Sequence, residues 1–182
     1  LFVNELSKEK VRVFLIEKEL SNFISIAPGS VWGTKIYPND YYKQVINFFI
    51  ADGYKILLIG GTEDRNLSHN LVEEKNVVNA SGLFTFVETI ELLRSSKLLI
   101  CNDSAPTHLG VCADIPVLTL YCSTIADFGF YPYSWKSNYL SYNDLDCKPC
   151  GIHGHSECPI GTFDCGKLLK PEVVIKTAKS II

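Results

Sequence analysis

Phe23-Ile-Ser-Ile-Ala27 followed by Pro28-Gly29-Ser30 is a short apolar, β-branched run that ends in a Pro-Gly-Ser break, the pattern of a buried strand running into a tight loop. Working outward, Pro38 suits the first turn of a helix, and Tyr42, Val45, Ile46 and Phe49 share one face at a 3.6-residue period. Gly53 suits the position just past that helix, and Lys55–Ile59 reads as a second strand. The alternation continues, with strands predicted at Asn76–Asn79, Lys97–Cys101 and Pro116–Tyr121. Helices are predicted at Arg65–Glu74, Thr85–Ser95, Pro106–Ala113 and Pro171–Ile182. Near-continuous apolar strands need cover on both faces, and helical connections between them imply right-handed parallel crossovers. The expected fold is therefore α/β, a doubly wound, Rossmann-like parallel sheet.

Residues 1–22, with Val11, Phe14, Leu15 and Lys18 at helical spacing, read as a lead-in helix to a domain over residues 23–182. Residues 122–146 are aromatic but without a clean period, and are expected to form an irregular connection. The 182 residues are 47% hydrophobic and 20% charged, which fits one compact unit. Seventeen Lys and Arg against 20 Asp and Glu give a net charge of -3. No block of like charge marks a nucleic-acid or polybasic membrane surface. No apolar run approaches the roughly 18–20 residues of a bilayer span. The opening Leu1–Lys10 has neither an initiator Met nor a signal-peptide pattern, so it reads as a cut end and the chain as part of a longer protein.

Ligands of such sheets bind beyond the carboxyl ends of the strands, so the loops there carry the functional reading. Pro28-Gly29-Ser30-Val31-Trp32-Gly33-Thr34-Lys35 combines small residues, hydroxyls and one cation. It reads as a phosphate loop or, equally, as a strand-to-helix turn with an exposed lysine; it matches neither the Walker A nor the Gly-x-Gly-x-x-Gly pattern. Gly60-Gly61-Thr62-Glu63-Asp64 offers close backbone approach and an acid for ribose hydroxyls, or simply a helix cap. Asn102-Asp103-Ser104-Ala105-Pro106-Thr107-His108 leads into a helix whose amino end suits an anion. Three such loops on one edge point to a nucleotide or sugar-phosphate site.

The ordered set Pro28-Gly29-Ser30-x-Trp32-x-Thr34-Lys35-x-Tyr37-Pro38, Gly60-Gly61-x-Glu63, Asn102-Asp103-Ser104-x-Pro106-x-His108-Leu109 and Pro116-Val117 resembles the heptosyltransferases, glycosyltransferase family 9, in their C-terminal donor-binding domain. The resemblance implies half of a two-domain GT-B fold and inverting, metal-independent transfer of heptose from ADP-heptose to the lipopolysaccharide inner core. It implies a cytoplasmic enzyme at the inner membrane, with peripheral membrane contact at most. It assigns Lys35 to the leaving diphosphate with Ser30 beside it, Glu63 to the ribose and Phe84 to the adenine side. Asp103, Ser104, Ala105 and His108 are assigned to the sugar and diphosphate. The acceptor-binding domain with its general base has no counterpart in these residues, so the chain is expected to bind donor without catalysing transfer alone. Ala105 stands where the family usually has Gly, which asks whether that backbone needs a positive φ. Two other readings stay open: a non-catalytic sugar-nucleotide-binding or scaffold domain, and a GT-B enzyme using another nucleotide sugar.

Seven cysteines are divided unevenly. Cys101, Cys112 and Cys122 lie in apolar contexts and read as buried thiols, whereas Cys147, Cys150, Cys158 and Cys165 cluster. A Cys-x2-Cys pair with two further cysteines is a donor set for structural zinc or a single iron, with His153 and His155 as substitutes. Two disulfides or free thiols are the competing readings. Related family members carry a similar segment before their last helix.

Overall fold

The computed structural model describes residues 3–72 and 75–182. The helix α1 (Glu5–Glu17) precedes a run of strands and helices: β1 (Phe23–Ala27), α2 (Asn39–Ala51), β2 (Lys55–Leu58), α3 (Arg65–His69), β3 (Val77–Asn79) and α4 (Phe86–Leu93). There follow β4 (Leu99–Asn102), α5 (Ala105–Cys112), β5 (Val117–Tyr121), β6 (Asn138–Ser141), α6 (Asp164–Lys167) and α7 (Pro171–Lys179). The six strands form one sheet in the order β3-β2-β1-β4-β5-β6, every neighbouring pair parallel. The order reverses between β1 and β4, which opens a crevice at their carboxyl ends.

Every residue of β1 and β5 is buried, because helices cover both faces. Alternation along β1 divides its side chains: Ile24 and Ile26 pack with Tyr42, Val45 and Phe49 of α2 and Val174 of α7, while Phe23 and Ala27 pack with Val11 of α1 and Ile90 and Leu93 of α4. The predicted face of α2 is the one that is buried. The helix closes at Gly53, whose N–H donates to the Ile50 carbonyl while that of Tyr54 donates to the Phe49 carbonyl, a Schellman motif with Phe49 and Tyr54 rings in contact. α4 opens with a reciprocal capping box between Thr85 and Glu88.

Three expectations are corrected. β6 lies inside the stretch expected to be irregular: Asn138-Tyr-Leu-Ser141 has no apolar run, since an edge strand pairing with β5 alone needs none. α3 ends at His69, well short of Glu74; Asn66, Ser68 and Asn70 favour turns over helix interiors, and Glu73 and Glu74 lie outside the described residues. Cys112 is exposed on the outer side of α5, whereas Cys101 and Cys122 are buried as expected. Among the described residues no helix is long and apolar enough to cross a membrane.

Candidate functional site

The crevice at the switch point is framed by the three loops singled out above and holds about 340 Å³. Its walls include Gly29 and Ser30 after β1, Gly60, Gly61, Glu63 and Asp64 after β2, Phe84 and Phe86 before and in α4, and Ser104 and Ala105 at the start of α5. That volume falls within the roughly 300–1,000 Å³ typical of small-molecule sites.

Asn102, the last residue of β4, anchors the loop after β1. It is wholly buried, and its side-chain amide donates to the carbonyls of Pro28 at 2.7 Å and Gly29 at 3.3 Å. Its Oδ1 accepts from the Tyr37 N–H at 3.0 Å and the Tyr42 hydroxyl at 2.9 Å. All its donors and acceptors are thus used to tie the loop after β1 across the switch point. Burial drives the Tyr42 hydroxyl far above its ordinary range, so it stays a neutral donor.

Lys35 ends a 3-10 turn over Gly33–Lys35, and its Nζ lies 2.7 Å from Oδ2 of Asp103, the residue after Asn102. Both side chains are nearly buried, and the same carboxylate oxygen accepts the Thr124 hydroxyl at 2.7 Å. Two expected site residues are therefore brought together, but against each other and outside the crevice lining. Ser30, Glu63, Phe84, Ser104 and Ala105 do line it. His108 is exposed on α5 and stands apart from it.

Ala105 is the first residue of α5 and has no positive φ, so the backbone there does not require glycine. Ser104 sits at the cap position with its hydroxyl on the Asn102 carbonyl, 3.3 Å away, and makes no capping bond of its own. The helix therefore turns an uncapped amino end towards the crevice.

The two acids after β2 differ. Glu63 is exposed and takes the Thr62 hydroxyl at 3.1 Å; its own N–H, with that hydroxyl, holds its carboxyl below the ordinary range. Asp64 is half-buried, accepts the Gly61 N–H at 2.8 Å, and has its carboxyl raised by burial. It reaches across the crevice mouth to Gly29, where a Cβ would come within 2.0 Å of its Oδ1. The resemblance assigns Glu63, which does line the crevice; that Asp64 lines it as well is something nothing local in Thr62-Glu63-Asp64 signals. Thr124 was missed too, since its relation to Asp103 exists only across the β4–β5 pair.

Phe84 is braced from outside by α1: its ring meets that of Phe14 edge-on at 5.0 Å, and Lys10 Nζ stands 4.9 Å above it. Lys10 is held in turn by Glu88 at 2.9 Å and the Leu83 carbonyl at 3.1 Å.

Cys147, Cys150, Cys158 and Cys165 line a second cavity of about 260 Å³ and are all free thiols. They share a space without converging: among the described residues, no three His, Cys, Asp or Glu side chains are disposed to hold a metal ion. The donor set suits zinc or iron in kind, and its geometry does not close on one. Burial raises the thiols of Cys150 and Cys165, the latter to about 11. At Cys158 burial, the largest single influence, raises the thiol, but the N–H groups of Phe163, Ile160, Gly161 and Thr162 together outweigh it and lower its pKa.

Residues 6–160 match the family model described as glycosyltransferase family 9 (heptosyltransferase). The chain is 28% identical to lipooligosaccharide heptosyltransferase 2 of Campylobacter jejuni subsp. jejuni serotype O:2, over 92% of this chain and 53% of that protein. It is 25% identical to lipopolysaccharide heptosyltransferase 2 of Salmonella typhimurium, over 58% of this chain and 32% of that one. The chain thus spans about half the length of the Campylobacter relative. Among solved structures, a family 9 glycosyltransferase from Veillonella parvula superposes with a TM-score of 0.84 at 23% identity, over 100% of this chain and 52% of that one. Escherichia coli ADP-heptose LPS heptosyltransferase II gives 0.79 at 20% identity, with 100% and 52% covered. The iron-containing dodecameric glycosyltransferase TibC from enterotoxigenic E. coli gives 0.69 at 19%, with 88% and 46% covered. These likenesses show a shared fold, and the match over residues 6–160 shows the family: this chain belongs to glycosyltransferase family 9, the heptosyltransferases.

Proposed function

We propose that the chain is the donor-binding half of an inverting GT-B glycosyltransferase that takes heptose from ADP-heptose for the lipopolysaccharide inner core, at the cytoplasmic face of the inner membrane. The observation that carries this reading is the convergence of Ser30, Glu63, Asp64, Phe84, Ser104 and Ala105 on one crevice at the sheet's switch point, with Asp103, paired to Lys35, next in the chain to Ser104. Phe84 and Phe86 offer ring surface to the adenine. Asp64, with Glu63 beside it, accepts from the ribose hydroxyls. Ser30 and the uncapped start of α5 face the diphosphate. Lys35 supplies the cation that stabilises charge developing on the leaving ADP, exchanging part of its bond to Asp103 for the phosphate. His108, exposed beside that helix end, faces the sugar and acceptor side. The general base belongs to the acceptor-binding domain of the family, not to a residue of this chain.

Transfer on this reading needs no metal. The cysteine segment is a structural part, with zinc or a single iron as the ion that four thiolates would hold. About one zinc or iron per chain in freshly purified protein supports that assignment, and sub-stoichiometric metal returns the cysteines to free thiols. Calorimetric titration with ADP, UDP and ADP-heptose tests the site itself. ADP-selective binding that is lost in Lys35→Ala is expected. UDP preference favours a related enzyme with another nucleotide sugar, and binding of none of the three leaves a scaffold domain.

A further inference from the structure

The segment carrying the cysteines also forms the outer wall of the Lys35 turn. The Thr34 N–H and hydroxyl both donate to the His155 carbonyl at 3.0 Å, and the His155 N–H donates back to Thr34 Oγ1 at 2.8 Å. Gly154, at φ +80°, lies so close that a Cβ there would stand 2.8 Å from Thr34 Oγ1, 2.9 Å from Ser123 Oγ and 3.5 Å from Lys35 Cγ. Trp32, on the other side of the turn, is stacked with His153, the rings 6.3 Å apart and 17° from parallel. The Cys150 N–H donates to the Ser123 carbonyl at 2.8 Å, next to Thr124, whose hydroxyl holds Asp103. Residues 150–156 therefore grip both the turn that carries Lys35 and the strand end that carries its counter-ion's partner.

We propose that Thr34 and Gly154 are positioning residues, through which the cysteine segment sets where the Lys35 ammonium stands and so how tightly the anionic part of the donor is held. The inference rests on the donor-site reading above. It separates two kinds of contact: adenosine meets walls that segment 150–156 does not touch, whereas the diphosphate depends on Lys35. Loosening the grip should weaken one and spare the other.

The test is titration of the full protein with ADP and with adenosine, alongside thermal unfolding. Thr34→Val keeps the side chain's shape and removes its exchanges with His155. ADP affinity is expected to fall about tenfold, because the turn that carries Lys35 loses the two side-chain hydrogen bonds that fix it. Adenosine affinity should change less than about twofold, and Thr34→Ser should restore ADP binding. Gly154→Ala, which drives a methyl group against Thr34 and Ser123, should show the same selective loss. Equal losses for ADP and adenosine with a falling Tm would mark a purely structural role and overturn the proposal. Wild-type ADP binding by both variants would overturn it alone, and absence of ADP binding to the unaltered protein would overturn it together with the donor-site reading.

Discussion

Asn102→Asp changes one side-chain nitrogen to oxygen at the switch point between β1 and β4 without altering its shape. The acceptor oxygen facing Tyr37 and Tyr42 can remain, but the donors to Pro28 and Gly29 are replaced by an oxygen placed 2.7 Å and 3.3 Å from two carbonyls. Two net hydrogen bonds at about 1 kcal/mol each are lost, and a buried carbonyl left unpaired costs about 1–3 kcal/mol more. Together these make a loss of about 3–5 kcal/mol at pH 8. In a chain of this size that is a fall in Tm of about 6–20 °C at roughly 2–4 °C per kcal/mol. The loss should depend on pH. Burial against two carbonyls raises the new carboxyl's pKa above its unfolded value of about 3.9, so the folded state binds more protons and stability falls as pH rises through that interval. The protonated acid can also donate to one carbonyl, recovering part of the loss. Scanning calorimetry should therefore show a smaller gap from the unaltered protein at pH 5 than at pH 8, and ADP binding weakened because the Pro28-Gly29 loop is no longer tied down. A Tm at pH 8 within about 2 °C of the parent, or a gap unchanged by pH, would refute the account of Asn102 as the pin of the switch point.

Lys35→Ala should weaken ADP binding far more than adenosine binding. It also leaves the Asp103 carboxylate in a nearly buried place without its cation, a loss of up to about 3–5 kcal/mol in denaturant unfolding. Adding Asp103→Asn should recover stability without recovering ADP affinity. Phe84→Ala should reduce ADP and adenosine affinity alike in the same titration, since the ring walls the crevice and carries no charge. Glu88 is held below the ordinary carboxylate range, chiefly by the Thr85 N–H and also by Lys10. Its contribution is present above the unfolded value of about 4.3 and is lost as pH falls through the lower folded value. Glu88→Gln should therefore lower Tm at pH 7, with the difference shrinking as pH falls below about 4.3.

The parts legible in the sequence share a cause. β1 and α2 were readable because burial repeats with the local geometry of strand and helix, so the apolar positions of Phe23–Ala27 and of Tyr42, Val45, Ile46 and Phe49 carry the signal in their spacing. β6 carried none, because an edge strand with polar and half-exposed residues takes its form from β5 and not from its own pattern. Likewise Ser30 and Ser104 could be placed at the strand ends by loop position, whereas Phe84 came only through the family resemblance. That Asp64 projects into the crevice, or that Lys35 is engaged by Asp103, depends on side-chain directions that no short window of residues contains.

The sequence by itself determined the class of fold, the edge of the sheet where the crevice opens, and the family, since periodicity, turn residues and motif order are properties of neighbours along the chain. Only the tertiary structure decided that Asn102 ties the loop after β1, that α1 braces Phe84, and that the cysteine segment grips Thr34. Each of these contacts joins residues more than sixty positions apart, and their hydrogen bonds and packing arise only once the sheet has brought β1 and β4 side by side and laid residues 150–156 over their ends.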